Sequence, residues 1–191
     1  MPSPMVGGNI ILARRSFVVD RGGERLWERV LGHLGEDAKE LRRTLLVTQS
    51  YPLELNLRLD RAIADELYPG APDRAFLEMG RASADVNLRG TQRAFVSDGD
   101  PHHLLSFAES IYAYYYGEGR RTYEKTGPAS AVLTTYDAPP STPGDCLTVV
   151  GWHERAIELS GGRNVKVSET KCRSRGEVVC QYDCSWELAV A

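Results

Sequence analysis

Apolar residues recur along this chain with two different periods. Through about residue 117 they return every three or four positions, the spacing of helices that bury one stripe. Leu26, Val30 and Leu34 space a helix over Glu24 to Leu34, and Asp37 to Leu45 continues as a second, short one. Leu55, Leu57, Leu59, Ile63 and Leu67 mark a helix over Leu53 to Leu67, ended by Pro69-Gly70. Pro72-Asp73 opens another, carrying Phe76, Leu77, Met79, Gly80, Ala84 and Val86. Asp100 suits an N-cap and Pro101 the first helical position, so a helix starts there and runs to Tyr114-Tyr115-Tyr116-Gly117. At the N-terminal end, Gly8 to Leu12 reads as a short strand, and Gly22-Gly23 breaks the chain.

Beyond Gly117 the period changes. Arg121 to Lys125 and Ser130 to Tyr136 read as strands joined by Thr126-Gly127-Pro128. Pro139-Pro140 and Pro143-Gly144 bracket a loop. Cys146 to Leu159 is amphipathic, with Val149, Val150, Trp152, Ala156, Ile157 and Leu159 facing a core, and Ser160-Gly161-Gly162 stops it. Val165 to Cys172 and Val178 to Leu188 form an antiparallel hairpin that turns near Arg175-Gly176. A helix-rich first half followed by strand, strand, helix, strand, strand predicts an α+β fold, helices covering an antiparallel sheet, as a single domain over 1–191.

Composition narrows the class. The chain has 191 residues, 42% hydrophobic and 26% charged, as in an ordinary globular domain. A net charge of −3 argues against nucleic acid as a partner, because neutralising phosphates needs a basic footprint. Gly7 to Ala13 is too short and wrongly flanked for a secretory leader, and no stretch approaches a membrane span. A cytoplasmic protein with reduced or metal-bound thiols is expected, since four cysteines gathered in the last third do not resemble a secreted disulfide framework.

Those cysteines are the most distinctive chemistry. In a hairpin centred on Gly176, Cys172 and Cys180 face each other with Cβ atoms about 5 Å apart. Two thiolates at that separation can share a zinc ion. Cys146 lies in the first turn of the preceding helix, where a thiol ionises more readily. Glu169 would supply oxygen, but residues three apart on a strand point to opposite faces, so a bulge or turn at Thr170-Lys171 is needed. Cys184 lies about 13 Å along the strand from Cys180. The competing readings of Cys172 and Cys180 are buried small hydrophobes and a cross-strand disulfide.

The tail C-R-S-R-G-E-V-V-C-Q-Y, preceded by G-W-H-E-R-A-I-E-L-S-G-G-R-N-V-K-V-S-E-T-K, resembles the 4-vinyl reductase domain family, over about residues 106–188. G-R-A-S-A-D-V-N-L-R-G-T-Q-R-A-F and the early G-G-N-I-I-L-A-R-R-S-F also resemble an uncharacterised myxobacterial family. The resemblance implies a fold shared with the ligand-binding domains of nitric-oxide signalling and Golgi transport proteins. It implies a dimer, a small hydrophobic ligand between helices and sheet, and a structural zinc held by Cys146, Glu169, Cys172 and Cys180. Phe107, Ile111, Tyr112, Tyr115 and Trp152 are the candidate pocket residues. No haem is expected, because the Tyr-x-Ser-x-Arg signature of the related nitric-oxide sensors is absent. His102 and His103 are read as exposed first-turn residues, and Arg173 and Arg175 as a solvated hairpin tip. No Gly-rich nucleotide loop, carboxylate pair or activated nucleophile is evident. A non-catalytic sensor or adaptor, binding a hydrophobic small molecule or a protein partner, is the leading expectation. A filled protein-interaction scaffold and a reductase-like enzyme are the alternatives.

Overall fold

The computed structural model describes residues 3–139 and 141–188. Strand β1 (Met5–Gly7) pairs antiparallel with β2 (Ser50–Pro52), and Val6 also bridges Tyr116. The helices are α1 (Gly8–Gly32), α2 (Ala38–Leu41), α3 (Leu53–Leu67), α4 (Pro72–Arg89), α5 (Pro101–Ser106) and α6 (Ala108–Tyr115). Strands β3 (Arg120–Gly127) and β4 (Ser130–Tyr136) follow, then helix α7 (Pro143–Leu159), then β5 (Arg163–Lys171) and β6 (Cys180–Glu187). These last four strands form one antiparallel sheet in the order β3-β4-β6-β5. The fold is α+β, with the helices of the first half packed over that sheet. No helix among the described residues is long and apolar enough to cross a membrane.

Two expectations are corrected. Gly8 to Leu12 is helix, not strand. Ile10, Arg14 and Phe17, and Ile11 and Val18, are buried at helical spacing, and that burial outweighs the β-branched character of the segment. The break expected at Gly22-Gly23 is present within α1, where both glycines leave helical geometry and Gly23 takes φ 66°, so that two helical segments meet at a kink. The helix expected over Asp37 to Leu45 is only a short 3-10 turn and the four residues of α2.

Helix α7 lies between α4 and the sheet, and its contact with α4 is made backbone to backbone. A Cβ built on Gly80 would stand 2.0 Å from the Thr148 carbonyl oxygen, and one on Gly151 would stand 2.1 Å from that of Leu77. Only glycine permits so close an approach. Below α7, β6 presents Cys180, Tyr182, Cys184 and Trp186 as its buried alternate positions, paired on the same face with Thr135, Leu133 and Ala131 of β4.

Candidate functional site

Three elements bring metal-ligating side chains to one point. Cys146 comes from the start of α7, whose N-cap Thr142 accepts from the Asp145 N–H at 3.3 Å. Glu169 and Cys172 come from the end of β5, and Cys180 from the start of β6. The β5–β6 register shifts between Glu169 and Lys171, a bulge that takes up the one-residue parity mismatch. The pairing of Lys171 with Gln181, carried on one step, sets Cys172 opposite Cys180 at the mouth of the hairpin. Between them the chain turns through Arg173–Arg175 and leaves by Gly176 at φ 94°.

One ligand atom from each of Cys146, Glu169, Cys172 and Cys180 lies within 4.8 Å of the others. A tetrahedral zinc with Zn–S near ~2.3 Å has S···S edges of about 3.7 Å, and the Cys146 and Cys172 sulfurs stand 3.4 Å apart. The four cysteines are free and buried. Glu169 Oε1 is buried with no hydrogen-bond partner among the described residues, while Oε2 faces the Arg175 guanidinium at 3.6 Å. Three thiols and a buried carboxylate within one ligand sphere are a donor set that fits a closed structural zinc.

The thiols are not equivalent. The Cys146 thiol is pushed up and keeps its proton, first by its bond to Cys180, then by burial and by the Glu169 carboxylate beside it. Cys180 receives that bond and a second from the Arg173 N–H at 3.3 Å, and is lowered to about 6 despite its burial. Cys184 stands outside the cluster, its thiol pushed up to about 12 by burial.

A pocket lies where α1, α4, α6, α7 and β3 meet. Ile10, Ile111, Tyr112, Tyr115, Val149 and Trp152 line it together with Arg14, Ser83, Arg121 and His153. Its volume is about 40 Å³, room for a few water molecules. Trp152 Nε1 donates to the Tyr115 hydroxyl at 3.0 Å, which donates to Gln92 Oε1 at 3.2 Å. Those two side chains therefore satisfy each other. Phe107, expected in the pocket, is not on its wall. The helix breaks after Ser106, and the change of phase turns Phe107 onto Phe95 and His103, at ring separations of 5.1 and 5.2 Å. His102 is half-buried rather than exposed. Its Nε2 donates to the Pro128 carbonyl at 2.9 Å and its Nδ1 accepts from the Tyr123 hydroxyl at 2.7 Å.

Several polar groups of this site were missed from the sequence. Arg14 is held bidentately by Asp60 at 2.6 and 3.1 Å, both buried. Asn56 and Asp60 sit on the buried face of α3 at i, i+4, which is the one signal that marked them. Asp145 is raised to about 7, mainly by burial and then by Asp60, against the pull of Arg14 and Arg121. His153 is lowered to about 3, by burial first and Arg121 second.

Residues 23–187 match a family described as a protein of unknown function, DUF2378. The chain belongs to that family. No curated protein matches the sequence. Among solved structures, this DUF2378 protein is similar to an H-NOX protein from S. oneidensis in the Fe(II)NO ligation state, with TM-score 0.72 at 14% identity, covering 95% of this chain and 99% of that one. It is also similar to the Fe(II) unliganded H-NOX protein from K. algicida, with TM-score 0.71 at 12% identity, covering 97% and 98%. A third, from work on heme distortion in the H-NOX family, has TM-score 0.71 at 11% identity and covers 97% of each chain. At these identities the likeness establishes the fold.

These relatives correct the expectation that excluded haem. That expectation rested on one absent motif, whereas the fold is the one in which the H-NOX structures are described with heme and Fe(II). The side chains as packed here do not fit the group. The pocket is far too small, and the one imidazole on its wall, His153, has Nδ1 against the Val149 carbonyl at 2.8 Å and Nε2 toward Arg121 at 3.5 Å.

Proposed function

We propose that this DUF2378 protein is a non-catalytic sensor or adaptor module. It takes a small, mainly apolar ligand between the helices and the sheet, and a structural zinc pins α7 to the terminal hairpin. The observation that carries this is the pocket itself, whose wall draws on five separate elements. A ligand there touches α4, α6, α7 and β3 at once, so its burial favours one packing of helices on sheet over another. The zinc would be held by Cys146, Glu169, Cys172 and Cys180 and would supply folding energy, not chemistry. It would hold the start of α7, and with it the Val149–Trp152 wall, in place.

The small volume favours a second reading, a protein-interaction scaffold with a filled interior. One experiment separates them. The purified untagged protein is assayed for metal by elemental mass spectrometry. It is then melted with and without chelator, and titrated with benzene, indole, short alcohols and haemin while Trp152 fluorescence is followed. One zinc per chain, a melt lowered by chelation, and a saturable fluorescence change lost in Trp152→Phe support the sensor. Cys172→Ser should lose the metal and melt earlier. Zinc with no response to any ligand moves the assignment to a scaffold, and an unchanged melt for Cys172→Ser overturns the pin.

A further inference from the structure

A smaller pocket, of about 20 Å³, adjoins the first on the side of the cysteine cluster, and Arg121 lies on the wall of both. Arg121 is 7% exposed. It stands on β3 opposite Thr135 of β4, so the sheet register directs it under α7. The other buried arginine, Arg14, has a bidentate carboxylate partner in Asp60. Arg121 makes no ion pair among the described residues. Its contacts are all to neutral groups. Its Nε donates to Thr135 Oγ1 at 2.9 Å, Nη1 faces His153 Nε2 at 3.5 Å, and the rings of Tyr112 and Tyr182 lie 4.9 and 5.6 Å away.

His153 can only accept there, because its Nδ1–H is given to the Val149 carbonyl. It is a neutral base facing the cation, not a counter-charge. Nη2 has no hydrogen-bond partner among the described residues, and neither has the hydroxyl of Tyr116, which lines both pockets and stacks on Tyr112 at 4.9 Å. No anionic group contacts the guanidinium, Asp145 and Cys180 acting on it only at a distance, and its planar fork matches a carboxylate. The surrounding wall, Ile10, Ile111, Val149 and Trp152, is apolar and offers no second free cation.

We infer that the ligand of this pocket is a small monocarboxylic acid, its carboxylate held by Arg121 and the Tyr116 hydroxyl and its apolar body directed toward Ile10, Ile111 and Trp152. This rests on the pocket being a ligand site at all. Given that, the acid supplies the contacting anion that Arg121 lacks, and a neutral analogue of the same length does not. The volumes restrict the class to the shortest chains, and a longer or ringed acid enters only where the walls part. Asp145 and Cys180 also line the smaller pocket. A purely structural Arg121, balancing their charge at a distance, would give acids no advantage.

The test is calorimetric titration of the zinc-loaded chain at pH 7.5 and constant ionic strength. The paired probes are butyrate and butan-1-ol, hexanoate and hexan-1-ol, benzoate and benzyl alcohol. At least one acid should bind tenfold or more tightly than its alcohol. Arg121→Gln should remove that preference while leaving alcohol binding in place, Arg121→Lys should keep part of it, and Tyr116→Phe should weaken the acid alone by severalfold. The wild-type comparison decides the matter even if an Arg121 variant does not fold. Equal binding of acid and alcohol overturns the carboxylate inference and leaves the pocket standing. No binding of either, with benzene, indole and haemin also silent, overturns both.

Discussion

Replacing Gly151 by Ala tests the architecture that positions everything else. Gly151 is in the middle of α7 and faces α4, and an added Cβ would stand 2.1 Å from the Leu77 carbonyl oxygen and 2.8 Å from its carbon. Carbon and oxygen approach each other to about 3.3 Å. The two helices must therefore separate by on the order of 1 Å, or their backbones must bend. The atoms in the way are main chain, so no rotamer change relieves the contact. Overpacking of this kind costs about 1–3 kcal/mol or more. Helix propensity works in the other direction, because Ala in place of Gly contributes about 1 kcal/mol. The sign is decided by the packing, and the net expectation is a loss of about 1–2 kcal/mol. Gly32→Ala is the matched control. It ends α1, and an added Cβ there meets no heavy atom within 4 Å, so that variant should gain a few tenths to about 1 kcal/mol. Urea unfolding of the zinc-loaded proteins measures both, with the m-values compared to check that the transitions remain equivalent. A Gly151→Ala protein as stable as wild type, at the same m-value, would refute the backbone-to-backbone contact of α4 and α7. The pocket should respond as well, since Gly80 and Trp152 of that junction are on its wall.

Two further outcomes follow from the buried polar groups. His153 is held down to about 3, whereas an unfolded histidine titrates near ~6.5. Between those values the unfolded chain binds a proton that the folded chain does not, so stability falls as pH falls through the window and returns as it rises. At about 1.4 kcal/mol per pH unit, going from pH 6.5 to 4.5 should cost wild type roughly 2 kcal/mol more than His153→Gln, and parallel pH curves for the two would disprove it. Breaking the Arg14–Asp60 pair by Asp60→Ala leaves a buried guanidinium, and should cost about 3–5 kcal/mol by denaturant titration. The double change Arg14→Met with Asp60→Leu should cost much less, and an equal cost would mean that the pair itself, not the stranded charge, was measured.

Much of this protein is legible without coordinates, for reasons that can be traced. The span Leu53 to Leu67 is readable because its punctuation is local, an apolar stripe followed by Pro-Gly, and it coincides with α3. The sheet is readable for the same reason, because Ser130 to Tyr136 and the alternation Cys180, Tyr182, Cys184, Trp186 follow the period of a strand. Local pattern fails where distant packing chooses between two acceptable conformations. Asn9 to Leu12 has the residues of a strand and becomes helix because Ile10, Ile11 and Phe17 all find partners in that form. The break at Phe107 is of the same kind. Nothing in the run Leu104 to Tyr112 marks it, yet it removes Phe107 from the pocket and leaves Ile111, Tyr112 and Tyr115 there.

Most elements and the candidate donors can be read from the chain alone, since hydrophobic period, turn residues and the spacing of Cys146, Glu169, Cys172 and Cys180 are written along one dimension. Tertiary structure decided which donors meet. The bulge between Glu169 and Lys171 and the docking of α7 onto the hairpin are what bring a carboxylate and three thiols within 4.8 Å. It also decided the charge balance of the interior. Arg120 and Arg121 are neighbours of identical chemistry, but strand parity sends Arg120 to the surface, over the ring of Tyr136, and Arg121 beneath α7 with no carboxylate to meet it. Burial and pairing depend on what the rest of the chain places on the other side, and that is a property of the packed molecule alone.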